Sequence, residues 1–239
     1  MPTRSASEHR ELLRAGRWFR GLPDGFQEGL LAIGAVRQLS ARSTLFARGD
    51  ACDGMFGVLR GQLRASGTDE DGEQALLTIV EPPSWVGEIP LFDGLPRTHD
   101  LIAETEALVL HVRKGPLLAL LDREPRYWRD LALLLTSKLR LAFAAMEHTQ
   151  LLPIGDRLAH RLVMIAEGYG EWVDGSARPV HVSQDTLATM LSTSRQTVNQ
   201  VLKTLEARGG VRLAYGRVEI VDLSALRRSL RRDAPEPSA

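Results

Sequence analysis

The stretch Ser183–Leu205, SQDTLATMLSTSRQTVNQVLKTL, decides how the rest of the chain is read. Leu187, Ala188 and Leu191 recur at helical spacing, Ser192-Thr193-Ser194 interrupts them, and Val198, Val201, Leu202 and Leu205 resume the pattern. Two short amphipathic helices joined by a tight polar turn are the grammar of a helix-turn-helix. The small Ala188 lets the helices approach closely, and Ser194 is placed to cap the second one. Arg195, Gln196, Asn199 and Gln200 face away from the apolar seam. Arg can pair bidentately with guanine, and Asn or Gln with adenine, so this face has the chemistry of major-groove readout. A helix pair with a merely polar outer face satisfies the same pattern, but Ala188 and the Ser194 cap favour the DNA-reading assignment.

Working outward, 239 residues suffice to bury a substantial core and predict two domains. The 30 Lys and Arg are balanced by 30 Asp and Glu, so any attraction to DNA must be local. Arg195, Lys203, Arg208, Arg212 and Arg217 face only Glu206 across the reading head and the segment just after it, the kind of cluster a phosphate-contacting surface needs. Cys52 is the sole cysteine, which excludes an internal disulfide and any Cys-ligated iron–sulfur cluster or Cys-rich zinc site within one chain. The N-terminal MPTRSASEHRELLR is charged from its start and lacks the apolar core of a signal peptide, and no segment reaches membrane-spanning length. The expected location is the cytoplasm, with no membrane partner.

Taken in order, Trp18, Phe19, Leu22, Phe26, Leu30, Leu31 and Ile33 predict short helices broken at Gly21-Leu22-Pro23. From Val36 to Val112 the texture becomes short runs punctuated by glycine. Strands are expected at Ser43–Phe46, Met55–Arg60, Gln62–Ser66, Ala75–Val80 and Ala107–Val112, two of them joined as a hairpin through Asp69-Glu70-Asp71-Gly72. Many short strands at this spacing predict a barrel or jelly-roll module. Helical texture returns at Pro116–Arg123 and then runs from about Pro125 to Leu152, stopped by Pro153. Within it Trp128, Ala132, Leu135, Leu139, Ala142, Met146 and Thr149 follow the spacing of a coiled-coil seam, while Leu131, Leu134 and Leu141 lie off it. One face is expected to cover the barrel and the other to meet a second copy in a parallel homodimer. Ile154–Glu167 predicts a further amphipathic helix, Gly168–Pro179 a loop or hairpin, and Val211–Ala214 with Arg217–Val221 a two-stranded wing around Tyr215-Gly216. The tail Arg231–Ala239 is expected to fray.

A second constellation is Gly87-Glu88-Ile89-Pro90-Leu91-Phe92-Asp93-Gly94-Leu95-Pro96-Arg97-Thr98. Gly87 permits close backbone approach, and a short helical turn after it would aim N–H groups at an anion. Arg97 offers a planar fork for a phosphate, Thr98 a hydroxyl donor, and Glu88 an acceptor for a sugar hydroxyl. Read without context, a Glu and an Arg ten residues apart fit an internal ion pair better than a ligand site.

With the glycine-punctuated strands, this cassette, the long helix and SRQTVNQVLKTLE in that order, the chain resembles the Crp/Fnr family of transcription regulators over nearly its whole length. The resemblance implies an α+β fold: an N-terminal cyclic-nucleotide-binding β-roll, jelly-roll-like (1–124), a long dimerisation helix (125–152) and a C-terminal winged helix-turn-helix (153–239). It assigns effector binding to Gly87, Glu88, Arg97 and Thr98, and DNA binding to Ser194, Arg195, Gln196, Asn199, Gln200 and Lys203. Cyclic-AMP-binding members carry a small hydroxyl pair on the long helix where this chain has Ala142-Phe143; His99 and Pro90 also replace small residues. Phosphate capture is thus expected and adenine selection is not, leaving cyclic AMP, cyclic GMP, a cyclic dinucleotide or no effector at all. Gln196 and Gln200 stand where the same members have Glu and Arg, so a shifted operator is expected.

The implied function is a homodimeric regulator that binds a double-stranded DNA operator under control of a small effector, with RNA polymerase as a further partner. The alternatives are an effector-independent regulator whose β-roll is only a dimerisation scaffold, and a cyclic-dinucleotide sensor. No metal or covalent cofactor is expected, since the single cysteine excludes the family's iron–sulfur variant and His99 and His111 read as ordinary polar positions rather than haem ligands. An enzyme on a cupin-like module would need clustered ligands or a nucleophile with its base, and the six histidines are scattered; the chain is expected not to be an enzyme.

Overall fold

The computed structural model describes residues 6–68, 74–172, 182–214 and 217–231. The fold is α+β, and the chain divides into two compact units, one running through Arg140 and taking in Glu171 and Trp172, the other beginning at Leu141.

The N-terminal unit opens with helices α1 (Arg10–Arg14), α2 (Arg17–Gly21) and α3 (Asp24–Ile33). The break expected at Gly21-Leu22-Pro23 is present: Leu22 is extended at φ −71°, ψ 148°, as a residue before proline prefers. Strands β1 (Gly34–Leu39), β2 (Thr44–Phe46), β3 (Gly54–Arg60), β4 (Leu63–Thr68), β5 (Gln74–Val80) and β6 (Trp85–Val86) follow, then the short helix α4 (Ile89–Asp93), strands β7 (Asp100–Ala103) and β8 (Ala107–Arg113), and helices α5 (Lys114–Arg123) and α6 (Tyr127–Leu151). The strands form two four-stranded antiparallel sheets, ordered β1-β8-β3-β6 and β2-β7-β4-β5. Phe46, Phe56, Val58, Leu63, Leu101 and Val109 fill one core cluster, to which both sheets contribute. The alternate residues of the first sheet, Met55, Leu59, Leu110 and Val112, join Phe19, Phe26, Leu117, Leu121, Leu131 and Leu134 in a second cluster. Strands β3 and β8 are therefore apolar on both faces, which is why they read as continuous apolar runs rather than as alternation.

Strands β1, β6 and β7 were not expected from the sequence. β1 is mostly half-buried or exposed and carries Arg37 and Gln38, β6 has two residues, and β7 has four; none offers a long enough pattern to register. β4 and β5 pair antiparallel as the expected hairpin requires, while its turn at Asp69–Gly72 lies outside the described residues.

Helix α6 buries Tyr127, Leu131 and Leu134 in the N-terminal unit and leaves Leu139, Phe143, Met146 and Leu151 more than half exposed. It ends where Pro153 cannot extend the hydrogen-bond ladder; that proline precedes α7 (Ile154–Ala166) instead.

The C-terminal unit continues through α8 (Gln184–Met190), α9 (Arg195–Ala207), β9 (Val211–Ala214), β10 (Arg217–Ile220) and α10 (Leu223–Arg231). Leu158, Leu162, Leu187, Val198, Leu202, Leu205, Val211, Val218 and Leu226 are buried. β9 and β10 pair antiparallel as the expected wing, whose turn Tyr215-Gly216 lies outside the described residues. The expected loop from 173 onward and the tail from 232 also lie outside them. Helix α10 was not expected; it is amphipathic, its Leu226 fully buried and its Arg227 paired with Glu167.

Candidate functional site

The cassette is held by its backbone. Gly87 sits at φ +90°, and a Cβ there would stand 2.8 Å from Arg97 Nη1, so both conformation and space demand glycine. The short turn expected after it is α4, closed by Gly94 in the left-handed region at φ +71°. Arg97 N–H donates to Asp50 O at 2.9 Å and Arg97 O accepts from Gly49 N–H at 2.9 Å, which pins the arginine to the turn before β3.

The Arg97 side chain enters the N-terminal unit and the residue is 3% exposed. Nη1 donates to Gly87 O at 2.8 Å, Nη2 donates to Asp53 Oδ1 and to Gly54 O at 2.7 Å each, and Cζ lies 4.3 Å above the centre of the Phe46 ring. Nε–H is buried without a partner among the described residues. Glu88 is 1% exposed and both its oxygens accept from Lys138 Nζ at 2.8 Å, Nζ also donating to Trp85 O at 2.7 Å. Glu88 and Arg97 therefore do not form the internal pair that their spacing allowed; each has its own partner. Thr98 is exposed, and its Oγ1 lies 2.8 Å from His99 Nδ1.

Asp53, Lys138 and Phe46 were missed in the sequence. Asp53 precedes Arg97 by 44 residues and Lys138 follows Glu88 by 50, and no motif joins residues so far apart. His111, read as an ordinary polar position, stacks on Phe56 with ring centres 4.5 Å apart and reaches Asp53 Oδ2 at 3.3 Å. Burial lowers its pKa, with Asp53 opposing. Burial also lowers the pKa of His99, helped by Lys138 and Arg97 and opposed by Glu88 and Asp100.

In the second constellation Ser183 and Ser194 are the N-caps of α8 and α9, each Oγ accepting a backbone N–H three residues on at 3.0 Å. Arg195, Gln196, Gln200 and Lys203 are exposed. The side chains of Gln196 and Gln200 have no hydrogen-bond partner among the described residues. Asn199 is half-buried and donates to Gln184 Oε1 at 3.0 Å, tying the two helices together. The basic cluster is less one-sided than its sequence suggested: Arg195 pairs with Asp185 at 3.2 Å and Arg212 with Glu219 at 2.8 Å, so Glu206 is not its only carboxylate. Both pairs are solvent-facing and contribute little to stability. The Arg217 side chain lies outside the described residues.

Among the described residues no group of three or more His, Cys, Asp or Glu is arranged to hold a metal ion, and no helix is long and apolar enough to cross a membrane.

Comparison with known proteins matches residues 36–124 to the cyclic nucleotide-binding domain and residues 156–229 to the Crp-like helix-turn-helix domain. The class is a cyclic-nucleotide-binding β-roll followed by a DNA-binding head, and the chain belongs to the Crp/Fnr family of transcription regulators. It is similar to the CRP-like cAMP-activated global transcriptional regulator of Mycobacterium tuberculosis, 29% identical over 189 residues, covering 79% of this chain and 84% of that protein. It is similar to the Cyclic AMP receptor protein of Thermus thermophilus, 28% identical over 183 residues, covering 76% of this chain and 82% of that one. In fold it matches the c-di-GMP-responsive global regulator CLP of Xanthomonas campestris with a TM-score of 0.66 at 21% identity, covering 84% of this chain and all of that structure.

Proposed function

We propose that this chain is a sequence-specific DNA-binding transcription regulator whose β-roll takes a small anionic effector, a cyclic nucleotide such as cyclic AMP or cyclic GMP. The observation that carries the reading is Arg97, 3% exposed yet with Nε–H unpartnered, beside the exposed hydroxyl of Thr98. An unsatisfied buried donor costs about 1–3 kcal/mol, and a phosphodiester oxygen is the acceptor that would relieve it. Gly87 keeps the backbone clear, and Glu88 faces the sugar. In this reading residues 1–124 sense, 125–152 dimerise and 153–239 bind DNA through Ser194, Arg195, Gln196, Asn199, Gln200 and Lys203. The exposed Leu139, Phe143, Met146 and Leu151 on α6 support pairing with a second copy, hence a two-fold symmetric operator. The effector acts only through its differential affinity for the DNA-binding and non-binding states of the protein. The regulator works in the cytoplasm, with RNA polymerase as its protein partner, and catalyses no reaction.

A second reading, an effector-independent regulator, is favoured by the ion pairs that already engage Arg97 and Glu88. Fluorescence anisotropy on an operator, with the full chain and cyclic AMP, cyclic GMP or cyclic di-GMP, separates the two. The effector reading expects one nucleotide to change operator affinity and to raise the unfolding midpoint by mass action, and Arg97→Ala to abolish both while the chain stays folded. Absence of both effects with all three nucleotides selects the scaffold reading.

A further inference from the structure

We propose that Thr98 and His99 act together as a proton-gated anion receptor, so that the effector binds with uptake of one proton on His99. The inference rests on the effector reading above and adds to it a ligand-contacting residue that the family pattern, small at this position, does not contain. Thr98 Oγ1 and His99 Nδ1 are 2.8 Å apart, so one hydrogen lies between them. With a neutral ring the pair carries two polar hydrogens, one on the hydroxyl and one on the imidazole. One is spent on the internal bond and one remains for other acceptors, whichever tautomer the ring adopts. Protonation supplies a third hydrogen from solvent: Nδ1–H donates to Oγ1, and both the hydroxyl hydrogen and Nε2–H are free to donate to an anion, with a positive charge beside them. The pair sits where an anion would: His99 meets Phe46 edge-on with ring centres 6.0 Å apart, and Arg97 lies over that same ring.

The groups acting on His99 come from every element around it: Arg97 in its own segment, Asp100 on β7, Glu88 before α4 and Lys138 on α6. Asp100 itself accepts from the Arg48 backbone N–H at 2.8 Å, and Glu88 is paired with Lys138. Burial and the two cations keep the free ring neutral at pH 7. An incoming phosphodiester adds the negative charge that reverses this balance. The phosphodiester of a cyclic nucleotide does not titrate near neutrality, so proton uptake on binding reports the protein.

The test is isothermal titration calorimetry of the full chain with cyclic AMP, cyclic GMP and cyclic di-GMP at pH 5.5, 6.5 and 7.5, in buffers of different ionisation enthalpy. For the nucleotide that binds, the expected result is net uptake of up to one proton and an affinity that rises as pH falls, by roughly tenfold per unit at the steepest part. His99→Ala and His99→Gln, checked for folding by tryptophan fluorescence, are expected to bind with flat pH dependence and no proton uptake. Wild-type binding that is itself pH-independent, or a pH slope retained in both variants, overturns the proposal and leaves the effector reading standing. If none of the three binds wild type at any pH, the effector reading fails and the proposal with it.

Discussion

Replacing Lys138 with Met removes the cation from a carboxylate that has no other hydrogen-bond or ion-pair partner among the described residues. Glu88 is 1% exposed, and both its oxygens lie 2.8 Å from the ammonium. Breaking a buried pair by deleting one partner costs about 3–5 kcal/mol. The Lys138 side chain is 35% exposed, so water reaches the vacated position, and we expect the lower end, about 3 kcal/mol. Glu88→Gln keeps the volume, leaves a cation with access to solvent, and should lose only about 1 kcal/mol. The double variant, with no uncompensated charge, should regain about 1–2 kcal/mol over Lys138→Met alone. The assay is unfolding of the full chain followed by tryptophan fluorescence, because Trp18, Trp85, Trp128 and Trp172 all lie in the N-terminal unit. At about 2–4 °C per kcal/mol, Lys138→Met should lower the midpoint by about 6–12 °C. A Lys138→Met midpoint no lower than that of Glu88→Gln, or a double variant worse than both, refutes the argument that the stranded carboxylate is what matters.

Three other outcomes are expected. Gln196→Glu exchanges an amide suited to adenine for a carboxylate that accepts from cytosine, and should move base preference at one symmetric operator position by about 1–3 kcal/mol; a binding-site selection that returns the wild-type sequence sinks the assignment. Ser192 sits in the left-handed region at φ +50°, so Ser192→Gly should stabilise the C-terminal unit by about 0.5–1 kcal/mol and Ser192→Val should destabilise it, both read by calorimetry. His111 has a pKa lowered from 6.5, chiefly by burial, so the unfolded chain binds more protons than the folded one as pH falls below 6.5. Its contribution to stability is present at pH 7.5 and is lost on acidification towards its lowered folded value. Glu171, raised by burial, acts in the opposite sense, losing its contribution as pH rises through its own elevated value. The difference between wild type and His111→Gln isolates the histidine: the variant's fluorescence midpoint should fall less between pH 7.5 and 5.5, and an identical fall in both would contradict the assignment.

Elements with a long or punctuated pattern were legible in the chain. The Ser194 cap, the seam through Leu202 and Leu205, the long helix ending at Pro153 and the doubly apolar β8 each announce themselves within a few turns of sequence. β6 and β7 did not, because two and four residues carry too little periodicity and become strands only by pairing with β3, β2 and β4. The cassette was legible by type and spacing, and its residues do gather at one place. Their partners were invisible: nothing local marks Asp53 for Arg97 or Lys138 for Glu88, since both contacts join segments that only the closed fold brings within 3 Å.

The sequence by itself determined the order of modules, the helix-turn-helix with its caps and exposed amides, and the position of the Gly87–Thr98 cassette, because these follow from periodicity, capping and local chemistry. Only the tertiary structure decided how that cassette is charged. Ion pairing and burial depend on distance rather than on sequence separation, so it took the fold to set Asp53 against Arg97 and Lys138 against Glu88, to leave Arg97 Nε–H without a partner, and to draw Asn199 away from solvent onto Gln184.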